Sequence, residues 1–539
     1  MSSGAAYLYE VDSGSLTIGF AGLGSSVVFA NGGTTVNYTN PAISGGYLEG
    51  SGTHNISAVS SIAGTTIENA VAITPASGTA LRAVTNAGTI VNPASSSLSW
   101  FGGSNAGGNL NVSGSVSIGE WTSSGIVNIN ADGTVTDLLS SNMVLLGGSR
   151  TYVGTSATPG GLIVLTGGAT VELNGGLLAN FGNITGGNVD VNYAGLATGT
   201  GSYSGVVVNP GGTYMPGNYG VGSPPPSLGS AFATIVPAAG GATSSSVPVT
   251  VTAGAMITVN PGSTLTLAGG LNASGQAVTM LGGGTAIVAP FSSTDLNVSS
   301  GTLKLSPSSS VLSISTLEVG AASRLDLTTN SADISTSSLS AITTLAKTGY
   351  ANGAWNGSGG ITSSSAASNT KHLTAIGVIQ NNQSGTALYT ASHPFESTTP
   401  GISDILAKYT YYGDTNLDGK VDGSDYSRID AAYLADKTNP TAMTGWFNGD
   451  FNYDGVVNGS DYTLMDDAFN TQGAQLSSEI AGPTAVATAQ IAGTSTVPEP
   501  ASLPLIAIAA VATLGRRRRH QLAHLSRIGI CKKGCLDSN

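Results

Sequence analysis

The densest carboxylate clusters in the chain are two short stretches, GDTNLDGKVDGSDY at residues 413–426 and GDFNYDGVVNGSDY at 449–462. Aligned, both read D-x-N-x-D-G-x-V-x-G-S-D-Y. A hard cation such as calcium takes six to eight oxygens, and a loop supplies them from alternate positions when a glycine permits the sharp turn between them. In the first loop Asp414, Asn416 and Asp418 fill positions one, three and five, and Gly419 makes the turn. Lys420 offers its main-chain carbonyl at position seven with its side chain expected to point away, Asp422 acts through water at nine, and Asp425 closes the cage at twelve. The second loop repeats the set with Asp450, Asn452, Asp454, the carbonyl of Val456, Asn458 and Asp461. Merely solvated acidic turns have no reason to match twice in one register, each with glycine at position six and an aliphatic at eight. Two bound calcium ions are therefore expected.

The residues after each loop indicate how it is held. Tyr426, Ile429 and Tyr433 after the first, and Tyr462, Met465 and Phe469 after the second, fall at i, i+3 and i+7, one face of a helix. The residues before the loops leave no room for an entering helix, since YTYYGD is β-like and TGWFNGD keeps two glycines close together. A loop followed by a helix, twice, with Asp at position twelve, resembles the duplicated F-hand of dockerin modules over residues 409–470. The resemblance implies helices packed antiparallel on their aromatic faces and one calcium per loop. It also implies a cohesin-like partner, selected by Gly423, Ser424, Gly459 and Ser460 at positions ten and eleven of the loops. Metal-free, the four carboxylates of the first loop repel one another, so calcium binding is expected to drive folding of the module. The module would serve equally as a calcium-stiffened joint between the body of the chain and an anchor.

The body is written differently. GGTTVNY from Gly32, ADGTVTDLL from Ala131, GGATVELNGG from Gly167, PGSTLTLAGG from Pro261, SGTLKLS from Ser300 and SRLDL from Ser323 are variations on one phrase. Apolar residues alternate with polar ones, as in Val171 and Leu173 or Leu265 and Leu267, and glycines bound each run, which is the pattern of half-buried strands. Many such strands without helical text between them predict a mainly β protein with a right-handed parallel β-solenoid body, whose rungs are stable by stacking rather than around one globular core. The spacing assigns no fixed repeat length. The phrases resemble the β-strand repeats of bacterial autotransporter-type surface proteins.

Composition narrows the function. Of 539 residues 77 are Gly and only 9% are charged, and the net charge is −12. Before residue 345 the only bases are Arg82, Arg150, Lys304 and Arg324, so no basic groove for nucleic acid is expected. No catalytic residues stand out, and enzyme activity is left open with the balance against it. His54 reads as a surface turn residue, and Glu172, Asp190, Asp295, Asp326 and Asp333 as solvated strand or turn carboxylates. A glycosidase needs two carboxylates across a groove, and no spacing here singles out a pair. Trp355, in a Gly/Ser/Asn-rich stretch, reads as a packing residue.

The C-terminal text, VPEPASLPLIAIAAVATLGRRRRH, joins Pro498, Glu499 and Pro500 to an apolar run at 501–515 and then to Arg516, Arg517, Arg518 and Arg519. About fifteen apolar residues make roughly 22 Å of helix, short of the roughly 20 residues a bilayer core needs, though flanking arginines can snorkel. The order resembles the PEP-CTERM sorting signal of exosortase-bearing bacteria. It implies an exported protein, held at least transiently in the membrane by a C-terminal apolar helix until an exosortase-like enzyme cuts near the motif. The N-terminal MSSGAAYLYEVDSGSL has neither the charged start nor the apolar stretch of a signal peptide. Export would then require a leader upstream of this start. Calcium suits the outside, where its concentration loads loops of modest affinity.

The expected organisation is a β-solenoid over 1–345, a linking region with some strand over 346–408, the dockerin-like module over 409–470, a flexible spacer over 471–496, the sorting signal over 497–519 and a disordered basic tail over 520–539. The expected function is that of a surface or extracellular-matrix structural or adhesive protein, with a surface polysaccharide as a possible ligand. The alternative is a β-helix type polysaccharide lyase or glycoside hydrolase carrying the calcium module.

Overall fold

The computed structural model describes residues 7–476, apart from short internal stretches of which 218–231 is the longest. The spacer, sorting signal and basic tail expected beyond residue 476 lie outside the described residues.

The two-residue alternation is realised turn after turn. One turn is built from Ser115–Gly119, Trp121–Ser123 and Ile126–Ile129. The next uses Thr134–Asp137, Met143–Leu146 and Arg150–Val153, each in parallel register with its counterpart. Stacking such turns gives one 19-stranded and one 16-stranded sheet, accompanied by a six-stranded and a three-stranded sheet. The protein is a mainly β solenoid. Turn length varies widely: Ala197 pairs with Tyr214, an advance of 17, whereas Thr151 pairs with Leu178, an advance of 27. Extra residues are absorbed at the corners between strands, which is why no fixed period is readable in the sequence.

The interior is filled by columns of in-register side chains. Leu98, Val116, Val135, Ile163, Ile184 and Tyr203 succeed one another along one face, all buried. Each contributes about 1.5–3 kcal/mol, and a single turn holds only a few, so a turn is stable only between neighbours. At one corner a polar ladder replaces the aliphatics. Asn86 Nδ2 donates to Asn105 Oδ1 (2.7 Å), and Asn105 Nδ2 donates to the Gly108 carbonyl (2.9 Å) and to Ser123 Oγ (3.2 Å). Gly125 turns this corner, where a Cβ would lie 2.1 Å from the Gly108 carbonyl oxygen.

Some sequence expectations are corrected here. His54 is not a surface turn residue: it is 2% exposed, stacked on Tyr38, with Nδ1 3.0 Å from the Tyr38 hydroxyl and Nε2 2.9 Å from the Glu49 carbonyl. Burial holds its pKa below the ordinary histidine value. Asp326 is not solvated either. It is buried and accepts from the Thr328 and Ser364 amides, with Lys304 Nζ 3.6 Å away. Asp333 is half-buried, and burial together with the charge of Asp404 raises its carboxyl.

In the 16-stranded sheet the parallel order ends at Ser331–Ile334, while in the six-stranded sheet Gly360–Thr362 adds one more parallel strand. Ile405–Tyr411 pairs antiparallel with Ser331–Ile334, and Thr374–Gln380 pairs antiparallel with Ile405–Tyr411 to become the last strand of the 16-stranded sheet. Between them the sequence pattern predicts no helix, yet one forms at Leu339–Tyr350. Ser338 caps it by accepting from the Ala341 amide, and it buries Ile342, Ala346 and Gly349. Gly349 lets the helix touch the strand Gly360–Thr362, since a Cβ there would meet the Ile361 carbonyl at 1.6 Å. Trp355 is buried and donates through Nε1 to the Tyr412 hydroxyl at 2.8 Å.

Candidate metal centre

The first loop begins where the strand Ile405–Tyr411 ends. Asp414 Oδ1 accepts from the Asp418 amide (3.0 Å), and Oδ2 accepts from the Gly419 amide (2.8 Å) and the Thr410 hydroxyl. Asn416 Oδ1 accepts from the Asp418 amide (3.1 Å), while its Nδ2 donates to Asp418 Oδ2 (3.1 Å). Asp418 Oδ1 in turn accepts from the Lys420 amide (3.2 Å). Positions one, three and five are thus drawn together by the loop's own amides. Asp422 and Asp425 form a capping box that starts the helix Gly423–Asp436, and Asp425 Oδ1 reaches back to the Thr415 amide (3.0 Å). The Lys420 side chain does not point away as expected: Nζ lies 2.9 Å from Asp422 Oδ2.

The second loop comes after a 3-10 turn at Trp446–Asn448 and repeats the pattern. Asp450 Oδ2 accepts from the Gly455 amide (3.2 Å), Asn452 Oδ1 from Asp454 (2.8 Å) and Asp454 Oδ1 from Val456 (2.9 Å). Asp461 accepts from the Phe451 and Asn458 amides (2.9 and 3.1 Å), and Asn458 with Asp461 makes the capping box of the helix Gly459–Thr471. The loops differ in exposure. Asp414, Asn416, Asp418 and Asp425 are all buried, whereas Asp454 in the second loop is exposed.

The charge balance calls for a cation. Burial, then the Asp425 and Asp418 charges, push Asp414 well above the usual carboxylate range. Burial dominates at Asp425 and at Asp461, both pushed up to about 6, and Asp418 and Asp450 also rise. Asp450 Oδ1 is buried with no hydrogen-bond partner, an orphaned oxygen that a bound cation would satisfy. Among the described residues no group of three or more His, Cys, Asp or Glu side chains is gathered into a metal cluster. The loops instead mix carboxylates with Asn and main-chain oxygens, a donor set suited to a hard cation.

The two helices lie antiparallel through paired aromatics. Tyr426 meets Phe469 edge-on at 5.5 Å, and Tyr433 meets Tyr462 at 5.8 Å. A pseudo-twofold relates two further contacts, Tyr426 hydroxyl to Asp466 at 2.6 Å and Tyr462 hydroxyl to Asp430 at 2.5 Å. Gly423 and Gly459 are exposed with open space at the Cβ position.

Sequence reasoning missed the residues that seat the first loop. Trp446 Nε1 donates to the Asp414 carbonyl (2.6 Å), the Tyr389 hydroxyl to the Asn416 carbonyl (2.7 Å), and Lys408 Nζ to the Leu417 carbonyl (2.9 Å). Lys408 is 2% exposed and paired with buried Glu396 at 2.9 Å. None of these lies at a motif position, and no spacing signal in the sequence marks them.

Fold and site together define a β-solenoid protein that carries a duplicated loop-helix module of the calcium-binding kind. Comparison with known proteins agrees: residues 412–477 match the family model for the dockerin type I domain, whose members bind calcium, and residues 496–519 match that for the PEP-CTERM protein-sorting motif. The two matches together support an exported, surface-directed protein. No curated protein matches the chain in sequence. Among solved structures, the crystal structure of the TibC-catalyzed hyper-glycosylated TibA55-350 fragment is similar at 16% identity, covering 57% of this chain and 98% of that one. Its TM-score is 0.28. The apolar run at 501–515 lies outside the described residues, and among those described no helix is long and apolar enough to cross a membrane.

Proposed function

We propose that the protein is a structural or adhesive component of the cell surface or extracellular matrix: a β-solenoid whose C-terminal end carries two calcium ions, followed by an exosortase-processed tail. The observation that carries the reading is the pair of loops in identical register, with buried carboxylates, an orphaned oxygen on Asp450 and a sorting motif downstream. Asp414, Asn416, Asp418, the Lys420 carbonyl, Asp422 and Asp425 hold one ion. Asp450, Asn452, Asp454, the Val456 carbonyl, Asn458 and Asp461 hold the other. The solenoid's outer face supports a scaffold role. Asn209 Nδ2 donates to Asn192 Oδ1 at 2.6 Å and Asn192 Nδ2 to Asn174 Oδ1 at 2.7 Å, so exposed Asn174 and half-buried Asn192 and Asn209 bond along the stack. A cohesin-like partner would meet the helix starts at exposed Gly423, Gly459 and Ser460 and half-buried Ser424, and an exosortase-like enzyme would cut near Pro498, Glu499 and Pro500.

Calorimetric titration of the full chain with calcium is expected to give two ions per chain, one after Asp414→Ala or Asp450→Ala, and none after both. An unchanged stoichiometry in the double variant would overturn the assignment.

A further inference from the structure

Position four of each loop supplies no ligand, yet in both it is buried and left-handed. Leu417 has φ +63° and Tyr453 φ +57°, and they are 0% and 2% exposed. Non-glycine residues keep that conformation only where their surroundings over-determine it. Here the neighbours on either side are the proposed ligands, Asn416 and Asp418 in one loop, Asn452 and Asp454 in the other.

Both side chains bear on one strand, Thr374–Gln380. A Cβ on Gly377 would meet Leu417 Cδ2 at 2.6 Å and the Trp446 ring at the same distance, so glycine makes room for both. The Tyr453 hydroxyl donates to the Ile376 carbonyl at 2.6 Å and lies beside the Val378 amide. Leu373 with Tyr412 and Asn381 with Asp404 are joined by ladder hydrogen bonds, so in this alternating register the Ile376 carbonyl and the Val378 amide face away from Ile405–Tyr411. With Ile405–Tyr411 on its other side, the strand presents these groups at the free edge of the 16-stranded sheet. All of its residues but Gln380 are buried. An apolar edge of this kind, uncovered, is a template for pairing with another chain.

We infer that the two calcium loops form the C-terminal cap of the solenoid, so that loading the loops and protecting the terminal strand are one event. The inference rests on the proposed assignment of calcium to the loops. The coupling is mechanical. Metal fixes positions three and five, these fix the left-handed residue between them, and that residue covers the strand. Lys408 adds a second link, since it belongs to the strand paired with the edge and holds the Leu417 carbonyl at 2.9 Å.

Hydrogen exchange on the full-length chain, with calcium content measured in parallel, tests this. In excess chelator, peptides covering 374–380 and 405–411 are expected to exchange at least tenfold faster, while those covering 115–129 stay unchanged. Tyr453→Phe in saturating calcium is expected to speed exchange at Val378 with calcium content unaltered. A chain that binds calcium but keeps the same protection over 374–380 in chelator overturns the cap, as does a Tyr453→Phe chain with wild-type exchange at Val378. A chain that binds no calcium overturns the metal assignment itself, and the cap with it.

Discussion

Asp333 is a carboxyl outside the loops whose ionisation is strongly displaced, and its setting explains why. Burial first, then the charge of Asp404, push its carboxyl up to about 7. A carboxyl raised in the folded state contributes stability that is whole below the unfolded value near 4 and is lost as pH rises through about 7. Asp333→Asn removes that loss. It is expected to match the wild type near pH 4 and to exceed it above pH 7 by on the order of 1 kcal/mol, read from urea unfolding at the two pH values. Residues of this kind are illegible in sequence because their neighbours come from distant text, as Asp404 does for Asp333 and Tyr38 for His54. The loop positions are legible for the opposite reason. Asp414 to Asp425 is one short local segment whose geometry is set by its own amides.

At the scale of elements, the helices after each loop arise from i, i+3 and i+7 spacing and from capping boxes built of proposed ligand positions. The helix Leu339–Tyr350 is hidden because only Ile342, Ala346 and Gly349 form its buried face, a small and partly glycine surface that gives little helical period. The elements around the loops also make the two sites unequal. Tyr389, Trp446 and Lys408 close over the first, while Asp454 leaves the second open to solvent. Chelator-driven release, followed by circular dichroism and tyrosine fluorescence, is therefore expected to be biphasic, with a fast phase abolished by Asp450→Ala and a slow phase abolished by Asp414→Ala. Some helical signal should vanish with each phase, because Asp425 and Asp461 are at once helix caps and the proposed closing ligands.

For the whole molecule, the solenoid was readable as a class from period-two alternation between glycines, but its turn boundaries were not, since an advance of 17 and one of 27 coexist. Alternation is a local property; register is settled only by which column a residue joins. Stability in such a stack is a sum over nearest neighbours. Asn105→Ala, which removes a fully buried amide and its bonds to three turns of the ladder, is expected to cost about 1–3 kcal/mol. Hydrogen exchange should show faster opening around Asn86, Asn105 and Ser123, with the strands near Leu303 unaffected.

The rungs also have a mechanical meaning. Their ladder bonds join one turn to the next, so a load drawn along the stack opens them a few at a time from an end, by peeling rather than by shear. Where rungs yield in sequence, the tension the whole protein withstands is set by its first rung to open. At the C-terminal end of the stack that rung is the strand beneath Leu417 and Tyr453, so under the proposed cap calcium loading would set the breaking force.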